Sequence, residues 1–137
     1  MDMKLELVPV PVSDVDRAKA FYTEKLGFTV EVDRQVAGVG RFVQLTPPGS
    51  ACSIVIGLDI ETMPPGSLRG LLLVVSDITA ARAELVERGV EVGEVAHLDA
   101  GSWVTGAVDD PYESFAQFSD PDGNGWSLQG VPDRSRS

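Results

Sequence analysis

"VSDVDRAKA", residues 12–20, returns as "VSDITAARA", residues 75–83. Val12, Ser13, Asp14, Ala18 and Ala20 match Val75, Ser76, Asp77, Ala81 and Ala83 at an offset of 63 (75 − 12). Downstream, "GFTVEV" at 27–32 is echoed by "GVEV" at 89–92. The later parts align as well. "FVQLTPPG" from Phe42 matches "FAQFSDPDG" from Phe115, which pairs Gly49 with Gly123 and Ser53 with Ser127. Self-similarity of this kind marks one structural unit built twice. The repeats cover about residues 4–57 and 70–130, with 58–69 as a linker and 131–137 as a polar tail.

The local chemistry gives each unit its elements. Residues 5–12 alternate and are rich in Val, the pattern of a strand. Pro9 and Pro11 lack backbone donors, which points to a sheet edge or to donors turned away from a neighbour. Ser13 or Asp14 caps a helix over 15–26, with Val15, Ala18, Phe21, Tyr22 and Leu26 at helical spacing and Gly27 as its stop. In the second unit residues 71–75 form the strand and Asp77 the cap. Ile78, Ala81, Leu85 and Val86 form the buried stripe, and Gly89 ends the helix. The remaining strands are expected near 29–36, 40–46, 52–57, 91–98, 114–119 and 125–129. Each unit therefore reads β-α-β-β-β, an α+β arrangement.

Composition narrows the function classes. The 137 residues suit one domain, residues 1–130, and 43% hydrophobic content suits a packed core. The net charge of −10 disfavours nucleic acid and anionic membrane, whose phosphates need Lys and Arg. No apolar run approaches the ~18 residues of a membrane span. "MDMKLE" lacks a signal-peptide pattern, so a cytoplasmic location is the expectation. Cys52 is the only cysteine, which excludes an intrachain disulfide and a Cys-rich zinc site.

"VPVSDVDRAKAFYTEKLGF" at 10–28 and "FSDPDGNGWSLQ" at 118–129, together with the repeat, resemble the vicinal oxygen chelate superfamily. That group includes glyoxalase I, bleomycin and fosfomycin resistance proteins and extradiol dioxygenases. The resemblance implies two tandem units forming a cupped mixed sheet around a cavity, with the helices on the outer face. It also implies a dimer. Metal-dependent members place His, Glu or Gln ligands on the first and last strand of each unit. The corresponding positions here are Leu7, Ser53, Gly70 and Ser127. Leu and Gly have no donor atom, and neutral Ser is a poor ligand for Zn²⁺, Ni²⁺ or Fe²⁺. No metal and no cofactor are therefore expected.

Strand alternation sorts the cavity lining. Leu7, Pro9, Leu72, Phe42, Gln44, Phe115, Gln117, Ser53, Ser127 and Gln129 share the inward parity, an apolar and aromatic surface with a few amides and hydroxyls, as in small-molecule sites. Trp126 has the opposite parity and is assigned to the core. Trp103 stands in the Gly/Ser/Thr-rich run 100–106, read as a loop. It either closes over a planar ligand or packs at a dimer contact. His97, the only histidine, is a candidate general base. Asp99, Asp109, Asp110 and Glu113 crowd the same insertion, and Glu113 is the second acid–base candidate.

The leading reading is a metal-independent binding protein that sequesters an aromatic or polycyclic small molecule. The alternative is a metal-free enzyme of isomerase or lyase type using His97 or Glu113. A third is an atypical metal-dependent glyoxalase or dioxygenase.

Overall fold

The computed structural model describes residues 1–58, 63–108 and 112–131. The expected tail beyond Val131, the Asp109–Asp110 pair and linker residues 59–62 lie outside them. Backbone contacts divide the chain into two compact units, one of residues 1–68 with 120–124, the other of 69–119 with 125–137.

In the first unit the elements run β1 (Leu7–Pro9), α1 (Val15–Ala20), a π-helical turn (Phe21–Lys25), β2 (Thr29–Val36), β3 (Gly40–Thr46) and β4 (Ser53–Ile56). Sheet order is β1-β4-β3-β2, with β1 parallel to β4 and the other pairs antiparallel. β1 is thus an edge strand, as its prolines require. It is also shorter than the run 5–12 suggests. Pro11 has no N–H to extend the ladder, and its carbonyl is taken by Asn124 Nδ2 at 2.8 Å and by the Gly66 N–H at 3.2 Å. Asp14, not Ser13, caps α1, its carboxylate accepting from the Arg17 N–H at 3.0 Å. Val43, Leu45, Ile54 and Ile56 are buried with Ala18, Tyr22, Leu26 and Phe28.

The motif "DPDGN" belongs to this unit. Asp120 is buried, and its carboxylate accepts four hydrogen bonds: from the N–H groups of Asp122 and Asn124, from Asn124 Nδ2 and from the Tyr22 hydroxyl, at 2.7 to 3.0 Å. Asn124 Oδ1 accepts from the Leu68 N–H at 3.1 Å. Asp122 Oδ1 accepts from the Ser13 hydroxyl and N–H. Gly66 has φ +82°, and a Cβ there would strike the Asp122 carbonyl oxygen, so the chain passes at a point only glycine fits.

The second unit comprises β5 (Leu71–Val75), α2 (Ile78–Glu87), β6 (Ala96–Asp99), β7 (Ser102–Thr105), β8 (Ser114–Ser119) and β9 (Gly125–Gly130). Sheet order is β5-β9-β8-β6-β7, with β5 parallel to β9. Asp77 caps α2, accepting from the Ala80 N–H at 3.0 Å. α2 packs on β8 and β9. Ala116, Phe118, Trp126 and Leu128 are buried, and the Phe118 and Trp126 rings stack at 6.1 Å. Trp126 is core, as its parity indicates. Val86 is exposed and drops out of the expected stripe.

Two differences from the sequence reading matter for the site. β6 begins at Ala96, not near 91, because Arg82 on α2 occupies the preceding carbonyls, donating to Gly93 O at 2.7 Å and to Val92 O at 3.0 Å. The run 100–106 is not a loop. Ala100 (φ 51°) and Gly101 (φ 83°) make a tight turn, and 102–105 returns as β7 paired to β6. Two successive positive φ angles are the geometry of the two-residue hairpin turn that suits strand twist.

Candidate ligand-binding groove

Register across the second sheet places the expected lining on one face. Leu72 faces Ser127, which faces Gln117. Val74 faces Gln129, which faces Phe115, which faces Ala96. Leu98 faces Trp103 on the added hairpin. Alternation puts Trp103 on the Phe115 side, and the two rings meet edge to face at 5.8 Å. The pair is a favourable aromatic geometry, worth about 1 kcal/mol.

A cavity of about 250 Å³ opens here, lined by Gly93, Glu94, Ala96, Trp103, Phe115 and Gln117. Trp103 is 56% exposed, and Leu98, Leu72 and Val74 are 52%, 45% and 38% exposed on the same face. Large apolar side chains left open together mark a binding surface more often than a solvated one. The floor is fixed, because the Gly93 N–H donates to Gln117 O at 2.9 Å. Gln129 is turned to the chain, its Nε2 donating to Tyr112 O at 2.9 Å. Tyr112 itself is held at φ 69°, a rare state for a bulky residue.

The acid–base candidates stand apart from this cavity. His97 faces Ser114, so it has the parity opposite to Ala96 and Phe115. Its Nδ1 lies 2.7 Å from Gly106 O. Glu113 is exposed just before β8. The groove lining includes neither. Sequence reasoning missed Gly93, Glu94 and Ala96. The signal that points to them is Trp103: once 102–105 is read as a strand, its partner and the lead-in to that partner must flank the ring.

In the first unit Leu7 faces Ser53, Pro9 faces Val55, and Val55 faces Gln44. Ser53 is buried, with its Oγ 2.7 Å from Thr46 Oγ1 and accepting from Gln44 Nε2 at 3.2 Å. Phe42 and Gln44 are half-buried on the same strand face.

The registers also correct one metal position. Gln44 and Gln117 are repeat mates. Gln44 faces Val55 and Gln117 faces Ser127, so the mate of Ser127 is Val55 rather than Ser53. Pro9 and Leu72, which face the same two residues, stand 63 apart, the offset of the opening repeat (72 − 9). Gly49 and Gly123 are not mates, because the turn before β4 is one residue longer than the turn before β9. The ligand positions are then Leu7, Val55, Gly70 and Ser127, and these side chains do not fit a divalent ion. Among the described residues no cluster of three His, Cys, Asp or Glu side chains could hold one.

Comparisons with known proteins place the chain in a family. The family model described as "Glyoxalase/Bleomycin resistance protein/Dioxygenase superfamily" matches residues 4–128. The structure of TnmS3, an antibiotic binding protein from Streptomyces sp. CB03234, superposes with a TM-score of 0.78 at 41% identity, covering 95% of this chain and 97% of that one. A glyoxalase/bleomycin resistance protein from the same strain superposes with a TM-score of 0.74 at 42% identity, covering 92% and 99%. The uncharacterized protein YetH of Bacillus subtilis (strain 168) is 26% identical over 94% of this chain and 99% of its own.

Proposed function

The chain belongs to the glyoxalase/bleomycin resistance protein/dioxygenase superfamily, and within it we propose a metal-independent binding protein that sequesters an aromatic or polycyclic small molecule. The observation that carries the reading is the exposed Trp103 in edge-to-face contact with Phe115 beside a mainly apolar cavity. Apolar walls with a few placed polar groups are what a small-molecule site needs. Gln117 and Glu94 supply the polar part. Likeness to TnmS3, itself an antibiotic binding protein, supports a ligand of that general kind. The side chains at Leu7, Val55, Gly70 and Ser127 support metal independence. A homodimer in the cytoplasm is part of the same proposal.

The test is a thermal-shift screen of aromatic natural products, followed by product analysis of every hit. A raised melting temperature with the ligand recovered unchanged is the expected result. Turnover that disappears in His97→Ala or Glu113→Ala replaces sequestration with catalysis. Elemental analysis of protein purified without added metal is expected to show no stoichiometric transition metal, and finding one overturns metal independence. Sedimentation velocity reads the oligomeric state directly.

A further inference from the structure

We propose that the Trp103–Phe115 groove selects planar aromatic ligands that carry a positive charge, with Glu94 as the residue that reads it. This rests on the binding reading above and adds the ligand's charge to it.

Among the described residues lining the cavity, Glu94 is the only ionisable side chain. Among the described lining residues no cation offsets that carboxylate: the nearby Arg82 guanidinium is engaged by the Val92 and Gly93 carbonyls and is not part of the lining. A cation meets that carboxylate and an aromatic pair whose open ring face carries negative quadrupole density. Trp is the ring best suited to this attraction, and Trp103 is the more exposed of the pair. The position of Glu94 is set by the fold. Its neighbour Gly93 is tied on both sides, the N–H to Gln117 O at 2.9 Å and the carbonyl to Arg82 Nε at 2.7 Å. The carboxylate therefore starts from a backbone fixed to the groove floor.

The magnitudes set the expected preference. An exposed carboxylate–cation pair contributes up to about fivefold in affinity, and a cation over an exposed ring about as much. Because the two overlap at one site, a combined preference of about tenfold is expected.

The experiment uses the full chain with 9-aminoacridine, a cation at neutral pH, and acridine, its uncharged tricyclic counterpart at that pH. Affinities are measured by calorimetry at two ionic strengths, and each variant's melting temperature is recorded as a folding check. The wild-type protein is expected to bind 9-aminoacridine about tenfold more tightly, with the difference shrinking as salt rises. Glu94→Gln is expected to cut that preference to the few-fold that the aromatic rings supply by themselves. Trp103→Leu, which keeps apolar bulk and removes the ring, is expected to weaken the cation more than acridine. Equal wild-type affinities, or a preference left undiminished by Glu94→Gln, overturn the inference while acridine binding leaves sequestration standing. Binding of neither probe overturns the inference too, and the screen described above then decides the broader reading by itself.

Discussion

Asp120 shows how one side chain organises a turn. Its two oxygens receive four donors, which satisfy the buried carboxylate by hydrogen bonding. Removing one donor leaves the others in place and tests the arrangement cleanly. Tyr22→Phe is expected to cost about 1–2 kcal/mol, measured as a lower urea midpoint with an unchanged m-value. Gly66→Ala is expected to cost at least as much, because the new methyl group meets the Asp122 carbonyl and the residue must also hold a positive φ. At this scale the sequence is only partly readable. "DPDGN" is visible as a turn, but its bonds to Tyr22, Pro11 and Leu68 join residues far apart in the chain. No local pattern encodes them.

The β6–β7 hairpin is the element on which the site depends. Sequence reading sees Gly, Ser and Thr in 100–106 and assigns a loop. The structure uses Ala100 and Gly101 as the turn and gives Trp103, Val104 and Thr105 to a strand, where such side chains are favoured. Ala100 is the weak point, since a left-handed conformation disfavours Ala more than Asn. Ala100→Asn is expected to stabilise the protein by about 0.5 kcal/mol, read as a higher urea midpoint, and to leave the groove intact. A second link runs between elements of the first unit. Lys19 on α1 and Arg41 on β3 both bond Asp33 on β2, at 2.6 to 3.0 Å. Hydrogen bonds from Arg41 first, then Lys19, hold the Asp33 carboxyl well below the usual carboxylate range. A depressed folded pKa adds stability that is complete above the unfolded value of about 3.9 and fades as pH falls beneath it. The melting-temperature gap between wild type and Asp33→Asn is therefore expected to be constant near neutral pH and to close in acid.

For the whole molecule, the charge of −10 predicts self-repulsion in the compact state. Raising ionic strength from low to physiological is expected to raise the melting temperature, while a chelator is expected to leave it unchanged. A chelator-induced drop would contradict metal independence. Among the described residues no helix is long and apolar enough to cross a membrane. Each unit has its own mixed sheet with a parallel first and last strand, the topology that the repeated β-α-β-β-β reading requires.

The sequence by itself determined the duplication, the two capped helices, most strand positions and the family. These follow from short-range signals: alternation, an Asp cap, a Gly stop, a repeated motif. It also placed Phe115, Gln117, Ser127 and Gln129 on one face, because parity along a strand is local. Tertiary structure decided the rest. Only pairing register shows that Val55, not Ser53, answers to Ser127. Only the β6–β7 ladder brings Trp103 onto Phe115 and Glu94 beside them, and only cross-sheet parity sets His97 away from that groove. The physical reason is that side-chain direction repeats within a strand, whereas which strands pair, and in what register, depends on contacts between distant segments.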